Sequence, residues 1–178
     1  MKGIGTRPIR TQRLYLRSPC AEDAEPLRRI HSLAMPLPDA RRTVIAMAEE
    51  SARPFGFHWV ITADGQVVGR IKGWEVNPYN GYVQLGYDIG AEYRCRGYMT
   101  EAVRAVIRYL LMAADAHRVY CSVRESNPAS CRVCEKNGMR HEGTLRQHYA
   151  RQDGGYDDVR IYGILREDLD DKESESIE

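Results

Sequence analysis

The sequence predicts a single α/β (α+β) domain in which a mixed, mostly antiparallel sheet carries helices on both faces. Three observations lead to this prediction. Short runs of strand-like alternation follow one another across tight turns in the first half of the chain. An apolar period typical of a helix begins near residue 103, and shorter strand and helix patterns then alternate to residue 165. The 178 residues suffice for one domain and are few for two.

The first half of the chain is predicted to contain a strand, two helices and three further strands. The later strands are separated by the turns Asp64-Gly65 and Asn80-Gly81, which favour hairpins. The helix after Pro19 has acidic residues early and basic residues late, as the helix dipole favours. The predicted ranges are residues 12–17 (strand), 21–33 and 40–52 (helices), and 57–62, 66–74 and 82–89 (strands).

The second half is predicted to add two helices and three strands. One helix has its apolar residues at positions i, i+3, i+4, i+7 and i+8, which places them on one face. These residues are Val103, Val106, Ile107, Leu110 and Leu111. The other helix covers residues 127–137 and ends at Gly138. The strands cover residues 119–123, 144–149 and 159–165.

Composition and charge exclude several classes of partner. The net charge is +1, which argues against nucleic acid or an anionic membrane as the main partner, because both need a strong basic field. The N-terminus lacks an apolar signal core, and no window holds about 18 consecutive apolar residues. We therefore expect a cytoplasmic protein. We also expect one domain over residues 1–178, with an ordered core at about 10–168 and a disordered acidic tail at 169–178.

The five cysteines do not indicate a metal site. Cys131 and Cys134 have C-x-x-C spacing, but a zinc site needs two more ligands at suitable spacing, and no convincing ones are present. We expect reduced thiols and no bound metal.

The most informative stretch, IGAEYRCRGYMTEAV at residues 89–103, joins a strand to the long helix. A loop in this position directs main-chain N–H groups and the positive end of the helix dipole toward one point. Gly97 allows close approach, Arg94 and Arg96 add charge, and Thr100 offers a hydroxyl, so the loop suits a pyrophosphate. It matches neither G-x-G-x-x-G nor G-x-x-x-x-G-K-[ST]. The alternative is a loop with solvated arginines before an ordinary helix.

The decapeptide YRCRGYMTEA resembles the acetyl-CoA pyrophosphate loop of the GNAT superfamily, whose pattern is [QR]-x-x-G-x-[GA]. Arg94 and Gly97 fill the first and fourth positions, and Met99 stands where Gly or Ala is usual, which predicts a narrower or shifted cradle. The resemblance implies that acetyl-CoA is held here. The implied residues are Ile89, Arg94, Cys95, Arg96, Gly97, Tyr98, Met99 and Thr100.

Four other segments share the likeness. Residues 127–139 resemble the family's N-x-x-S-x-x-V-x-E-K-x-G-[FM] segment, residues 141–149 and 154–165 resemble the family's following strands, and TQRLYLRSPCAEDAE resembles its usual start. The resemblance runs from about residue 11 to 167 and is nearest to the Rim-type branch of ribosomal-protein, spermidine and antibiotic acetyltransferases. It implies a sheet in which two strands splay apart and acyl-CoA lies between them.

The family pattern also assigns roles on the helix at residues 127–137. Asn127 is the position that holds the pantetheine arm, and Ser130 is the candidate proton donor to the coenzyme A thiol. Lys136 either approaches the 3′-phosphate or is a solvated lysine. Many relatives carry a tyrosine general acid where this chain has Cys134, which is therefore a second candidate or a buried apolar residue. Oxyanion stabilisation is expected from N–H groups of the strand at residues 82–89.

The base that accepts the amine proton is open. Relatives often carry Glu where this chain has Gln84, which cannot accept a proton. Glu75, Asp88, a water chain or an amine that arrives neutral are the alternatives. Tyr87 is either a wall of the cleft or a core residue.

The expected function is transfer of an acetyl group from acetyl-CoA to a primary amine by direct attack. The acceptor is a protein N-terminus, a polyamine, an amino-sugar antibiotic or another small amine, and residues 31–39 and 151–156 are expected to flank its entrance. The branch also suggests a homodimer. The rival is a non-catalytic acyl-CoA-binding sensor or interaction module, because Gln84, Met99 and Cys134 depart from the family pattern.

Overall fold

The computed structural model describes residues 1–30 and 33–169, and within these ranges the chain forms one eight-stranded sheet. The strands are Ile9–Arg10 (β1), Tyr15–Arg17 (β2), His58–Ala63 (β3), Gln66–Asn77 (β4), Tyr82–Ile89 (β5), Arg118–Arg124 (β6), Arg140–Ala150 (β7) and Tyr156–Leu165 (β8). Their order is β1-β2-β3-β4-β5-β6-β8-β7. Every neighbouring pair is antiparallel except β5 and β6, which are parallel. The predicted mixed, mostly antiparallel sheet is confirmed.

Four α-helices in the described residues cover the two faces of the sheet. They are Ala24–Arg29 (α1), Leu37–Ser51 (α2), Tyr98–Arg108 (α3) and Pro128–Lys136 (α4). α1 and α2 pack on one face, where Leu27 and Val44 share a buried cluster with Val60 of β3. α3 and α4 lie on the other face, where Val103 and Cys134 belong to the larger cluster. The prediction of helices on both faces is therefore also confirmed.

The strands β5 and β6 diverge along most of their length, which opens the sheet. They pair only through residues 82–84 of β5 and 118–120 of β6 in the described structure. Beyond this short contact β5 continues beside β4 and β6 continues beside β8. A bulge in β4 between Gly73 and Val76 bends this side of the sheet. The indole of the exposed Trp74 packs over Gly86 of β5, where a β-carbon would displace it.

The helix α3 fixes the middle of the core. Its residues Val103, Val106 and Ile107 are buried, as the apolar period predicts. A π-helical turn, Tyr109–Ala113, extends it and keeps the adjacent Leu110 and Leu111 both buried. Burial of each such side chain stabilises the fold by about 1.5–3 kcal/mol, so α3 anchors the loop that precedes it.

Some predicted element bounds differ from the structure. The strand predicted at residues 12–17 is only Tyr15–Arg17, and the two-residue β1 precedes it. The helix predicted at residues 21–33 is a 3₁₀ turn, Ala21–Asp23, followed by α1, because the buried Asp23 turns back to cap Cys20 N and pair with Arg17. Residues 170–178, which contain nearly all of the predicted tail, lie outside the described residues, as do His31 and Ser32. No described helix is long and apolar enough to span a membrane.

Candidate active site

The loop between β5 and α3 forms a cradle of main-chain N–H groups. Cys95 (φ 59°) and Gly97 (φ 78°) have left-handed backbone angles, and such angles turn successive N–H groups toward one side. The first hydrogen bond of α3 joins Glu101 N to Gly97 O at 3.0 Å. Within the described residues, the N–H groups of residues 97–100 donate to no main-chain carbonyl. Free N–H groups at the positive end of a helix are an arrangement that suits an anion.

A cavity of about 490 Å³ lies between this cradle, the end of β5 and α4. Its lining residues are Tyr87, Asp88, Ile89, Tyr93, Arg94, Cys95, Gly97, Tyr98, Met99, Thr100, Asn127, Ala129, Ser130, Arg132, Val133 and Lys136. Every residue predicted to bind the cofactor is in this set except Arg96. The Arg96 guanidinium lies 5.8 Å from the ring centroid of Tyr93, and its carbonyl accepts a hydrogen bond from Arg13 Nη1 at 2.9 Å.

Met99, the departure from the family pattern, has its side chain in the core. It is 6% exposed and belongs to the cluster that contains Val103 and Leu85. Its N–H is one of those in the cradle. The side chain therefore leaves the main chain of this loop open to the cavity.

A second, shallower cavity of about 340 Å³ continues from the first. The two share Gly97, Thr100 and Lys136, and the second adds Gln12, Arg13, Glu101 and Arg104. Arg104 Nη2 donates to Lys136 O at 3.3 Å, so α3 and α4 are joined at this point. Three cationic side chains thus border the outer end of the cleft.

Glu101 links the loop between β5 and α3 to the N-terminal hairpin. Its carboxylate accepts hydrogen bonds from Thr11 Oγ1 at 2.6 Å, Arg13 N at 3.0 Å and Arg13 Nε at 2.7 Å. Burial alone would raise the pKa of Glu101, but these hydrogen bonds outweigh it and hold the pKa below its usual value. Glu101 is therefore ionised at neutral pH and fixes the first turn of α3.

On the opposite side of the cavity, β5 and α4 meet through Tyr87 and Ser130. Asn127 caps α4, because its Oδ1 accepts a hydrogen bond from Ser130 N at 3.2 Å and so fixes the first turn of the helix, where Ser130 lies. Tyr87 Oη lies 2.8 Å from Ser130 Oγ, 3.3 Å from Ser130 O and 3.5 Å from Cys134 Sγ. Cys134 itself is fully buried and is not among the residues that line the cavity.

Tyr87 is the residue whose role the sequence leaves open. Its alternation with Val83 and Leu85 places it on the face that packs against α3 and α4, which is typical of core residues. The structure places its hydroxyl at the edge of the cavity instead. Burial raises the pKa of Tyr87 far above its usual value, so the hydroxyl is protonated at neutral pH.

The other face of the sheet carries Glu75 and Gln84 where β5 and β6 part. Tyr120 of β6 lies at the last paired position, and its hydroxyl lies 2.8 Å from Glu75 Oε2 and 3.2 Å from Gln84 Oε1. Burial, together with Glu75, raises the pKa of Tyr120. Glu75 is exposed and does not line the cavity. This cluster therefore lies where β5 and β6 begin to diverge, on the face of the sheet away from α4. The gap between the two strands is called the fork below, and this point is its base.

Asp88 lines the cavity and is paired with Arg70. Arg70 Nε donates to Asp88 Oδ2 at 2.7 Å, while Asp88 Oδ1 is buried with no hydrogen-bond partner in the described part of the chain. Burial raises the pKa of Asp88, and the ion pair offsets only part of this effect.

The described residues contain no group of three or more His, Cys, Asp or Glu side chains that could hold a metal ion. The cysteines are free, including Cys131 and Cys134.

Comparison with known proteins places this site in a family. A family model described as "Acetyltransferase (GNAT) domain" matches residues 13–140, which contain the loop, the fork and α4. Ribosomal-protein-serine acetyltransferase of Escherichia coli (strain K12) is 27% identical over 127 residues, which cover 71% of this chain and 70% of that protein.

Two solved structures share the fold. RimL, a ribosomal alpha-N-protein acetyltransferase in complex with coenzyme A, superposes with a TM-score of 0.82 at 19% identity, over 89% of this chain and 98% of that one. The microcin C7 self-immunity acetyltransferase MccE, in complex with acetyl-CoA and AMP, gives a TM-score of 0.76 at 17% identity, over 87% and 93% of the two chains.

Proposed function

Because the chain belongs to the GNAT acetyltransferase family, we propose that it transfers the acetyl group of acetyl-CoA directly to a primary amine. The observation that carries the proposal is the cradle of main-chain N–H groups at residues 97–100, open to a cavity that leads to the fork. Such a cradle suits a diphosphate, and coenzyme A carries one.

The two cavities together provide a separate place for each part of acetyl-CoA, from the 3′-phosphate to the thioester. The diphosphate is held by the cradle, with Arg94 beside it, and the pantetheine arm extends between β5 and α4 past Asn127. The 3′-phosphate lies toward Arg13, Arg104 and Lys136 in the second cavity. This direction brings the thioester to the fork, near Tyr87 and Ser130.

The residues at the fork supply what acetyl transfer needs. Past residue 84, β5 has no strand partner on its β6 side in the described structure, so alternate main-chain N–H groups are free to stabilise charge on the carbonyl oxygen. The Ser130 hydroxyl donates to the departing sulfur. We propose that Glu75 accepts the amine proton, because it occupies the base of the fork beside Gln84, which cannot.

We propose a peptide N-terminus as the acceptor. The face of the fork away from α4 is broad and aromatic: Trp74 is 64% exposed, and Tyr149 packs under the guanidinium of Arg124 at 4.7 Å. Residues 151–156 form the turn beside it and carry the exposed Tyr156. An open, aromatic face suits an extended chain. The name of the Escherichia coli relative, which acts on a ribosomal protein, agrees with this choice.

The test is thiol release from acetyl-CoA with a panel of amines: peptides with free N-termini, their N-blocked forms, spermidine and an amino-sugar antibiotic. We expect turnover with the free peptides and none with the blocked ones. Tight acetyl-CoA binding without turnover on any amine would favour the sensor. Turnover with spermidine or the antibiotic alone would retain the acetyltransferase and reject the peptide.

A further inference from the structure

The hydroxyl of Tyr87 occupies the place where the fork, the cavity and α4 converge. It lies 2.8 Å from Ser130 Oγ, and it also contacts Ser130 O at 3.3 Å. The two hydroxyls come from different elements, β5 and α4, which are held in place by the sheet and by the Asn127 cap. Both residues line the cavity.

The contact between the two hydroxyls is short enough for a proton to pass from one to the other. A serine hydroxyl has one donor hydrogen and two acceptor lone pairs, so it can accept from Tyr87 and donate into the cavity at the same time. Burial raises the pKa of Tyr87, so its hydroxyl is protonated at neutral pH. Because a buried tyrosinate is disfavoured, Tyr87 must take up a proton from solvent as it gives its own to Ser130. The serine alone would have to give up its only hydrogen with no group to replace it.

The neighbouring candidates are less well placed. Cys134 Sγ lies 3.5 Å from Tyr87 Oη but is fully buried and does not line the cavity. Tyr98, which does line it, has its ring under the guanidinium of Arg13 at 4.9 Å, beside the phosphate cradle rather than at the fork.

On the basis of the proposed function, we propose that Tyr87 supplies, through the Ser130 hydroxyl, the proton that the coenzyme A sulfur takes up as it departs. The amine nitrogen forms its bond to the acetyl carbon, and the carbon–sulfur bond breaks with its electron pair remaining on sulfur. Ser130 gives its hydrogen to that sulfur and receives the hydrogen of Tyr87. Glu75 accepts the proton that the amine loses and passes it to solvent, and Tyr87 takes a proton from solvent as it gives its own, so that no tyrosinate is left. The products are the acetylated amine and the free thiol.

The first test is Tyr87→Phe, which keeps the ring and removes the hydroxyl. We expect kcat to fall about 100-fold, the scale of a lost general acid, with the Kd of acetyl-CoA within about twofold of wild type because the phosphate cradle is intact. The matched control is Tyr109→Phe. Its hydroxyl donates to Gly5 O at 2.5 Å, away from the cavity, so this variant also loses one hydrogen bond to a half-buried tyrosine.

Two further readouts separate proton delivery from packing. Ser130→Ala is expected to lower kcat to a similar extent, and the double variant to be no more than about threefold slower than the slower single variant, because both belong to one relay. The selenoester analogue of acetyl-CoA has a more acidic leaving group that departs with less need of a proton. With it, the defect of Tyr87→Phe is expected to shrink to about tenfold or less.

Equal loss of kcat with the thioester and the selenoester, additive effects of the two substitutions, or near-wild-type kcat in Tyr87→Phe would each overturn the relay. If Tyr87→Phe does not fold, the dependence of kcat on the D2O fraction in the wild-type protein tests the same relay, because two moving protons are expected for the relay and one for donation by Ser130 alone. Failure of the wild-type protein to turn over any amine would instead reject the proposed function, which makes the two failures distinguishable.

Discussion

Arg13 holds Glu101 in the first turn of α3, with its main-chain N at 3.0 Å and its Nε at 2.7 Å from the carboxylate oxygens. The same arginine donates through Nη1 to Arg96 O at 2.9 Å. The turn between β1 and β2 therefore holds in place both the loop and the helix end that form the cradle of main-chain N–H groups. The shape of the cradle depends on residues outside the motif that encodes it.

Glu101→Gln is expected to weaken acetyl-CoA binding about fivefold, because it replaces charge-assisted hydrogen bonds with neutral ones. kcat at saturation should change less than about twofold, since the reacting atoms lie at the other end of the cavity. Titration calorimetry gives the Kd, and steady-state kinetics give kcat. Glu92→Gln is the control, because it removes an exposed carboxylate in the short helix Ala91–Tyr93 before the same loop. An unchanged Kd in Glu101→Gln would show that this contact with Arg13 is dispensable.

Gly97 combines a left-handed backbone with a position in the cradle. Gly97→Ala is expected to cost about 1 kcal/mol of folding stability, the penalty for a β-carbon at positive φ. It is also expected to raise the Kd of acetyl-CoA about tenfold or more, because relief of that strain would turn the N–H groups away. Thermal unfolding and calorimetry measure the two effects.

Gly65 provides the matched control for this substitution. It has φ 75°, close to that of Gly97, and lies in the turn between β3 and β4 with open space around it. Gly65→Ala should lose a similar amount of stability and keep the wild-type Kd. If both variants lose affinity equally, the effect of Gly97→Ala reflects general destabilisation and the cradle is not the binding site.

The three cationic side chains at the second cavity predict that the protein binds acetyl-CoA more tightly than its 3′-dephospho analogue. Lys136→Ala is expected to weaken acetyl-CoA binding about tenfold and to leave binding of the 3′-dephospho analogue within about twofold. The loss should be smaller at about 0.5 M salt, since the contact is between solvent-exposed charges. Competition binding with both ligands measures this difference. An equal loss for the two ligands would place Lys136 elsewhere on the cosubstrate.

Short sequence patterns predict the cradle, the fold class and α4, but they do not predict contacts between residues that are distant in the sequence. The loop and the Asn127 cap are each encoded by residues that are neighbours in the sequence, so each pattern is visible within one short segment. Tyr87 and Ser130 are 43 positions apart, and Glu75 and Tyr120 are 45 apart. Only the pairing of β5 with β6 and the packing of α4 bring them together. β1 was missed because two residues carry no periodic pattern.

Glu75 and Asp88 are the two candidate bases for the amine proton, and the proposed function assigns this role to Glu75. Glu75→Gln is expected to lower kcat/KM about 100-fold at neutral pH, because it removes the base at the fork while preserving the size of the side chain. The loss of kcat/KM should be similar at every pH at which the amine is protonated. At a pH high enough to deprotonate the amine, kcat/KM of the variant should approach the wild-type value. Kinetics with a peptide acceptor between about pH 6 and pH 10 follow this recovery. Glu49→Gln, an exposed carboxylate on α2, is the control.

The pH dependence of kcat/KM in Asp88→Asn distinguishes Asp88 from Glu75 as the base. Burial raises the pKa of Asp88, so an active Asp88 would accept a proton only above a pKa higher than that of an ordinary carboxyl, and kcat/KM would rise with pH through that value. Asp88→Asn would then remove this limb, and Glu75→Gln would leave it in place. With Glu75 as the base, Asp88→Asn keeps the wild-type dependence of kcat/KM on pH, and Glu75→Gln lowers kcat/KM. The second pattern is expected, because Arg70 already occupies one oxygen of Asp88, and the first would transfer the role to Asp88.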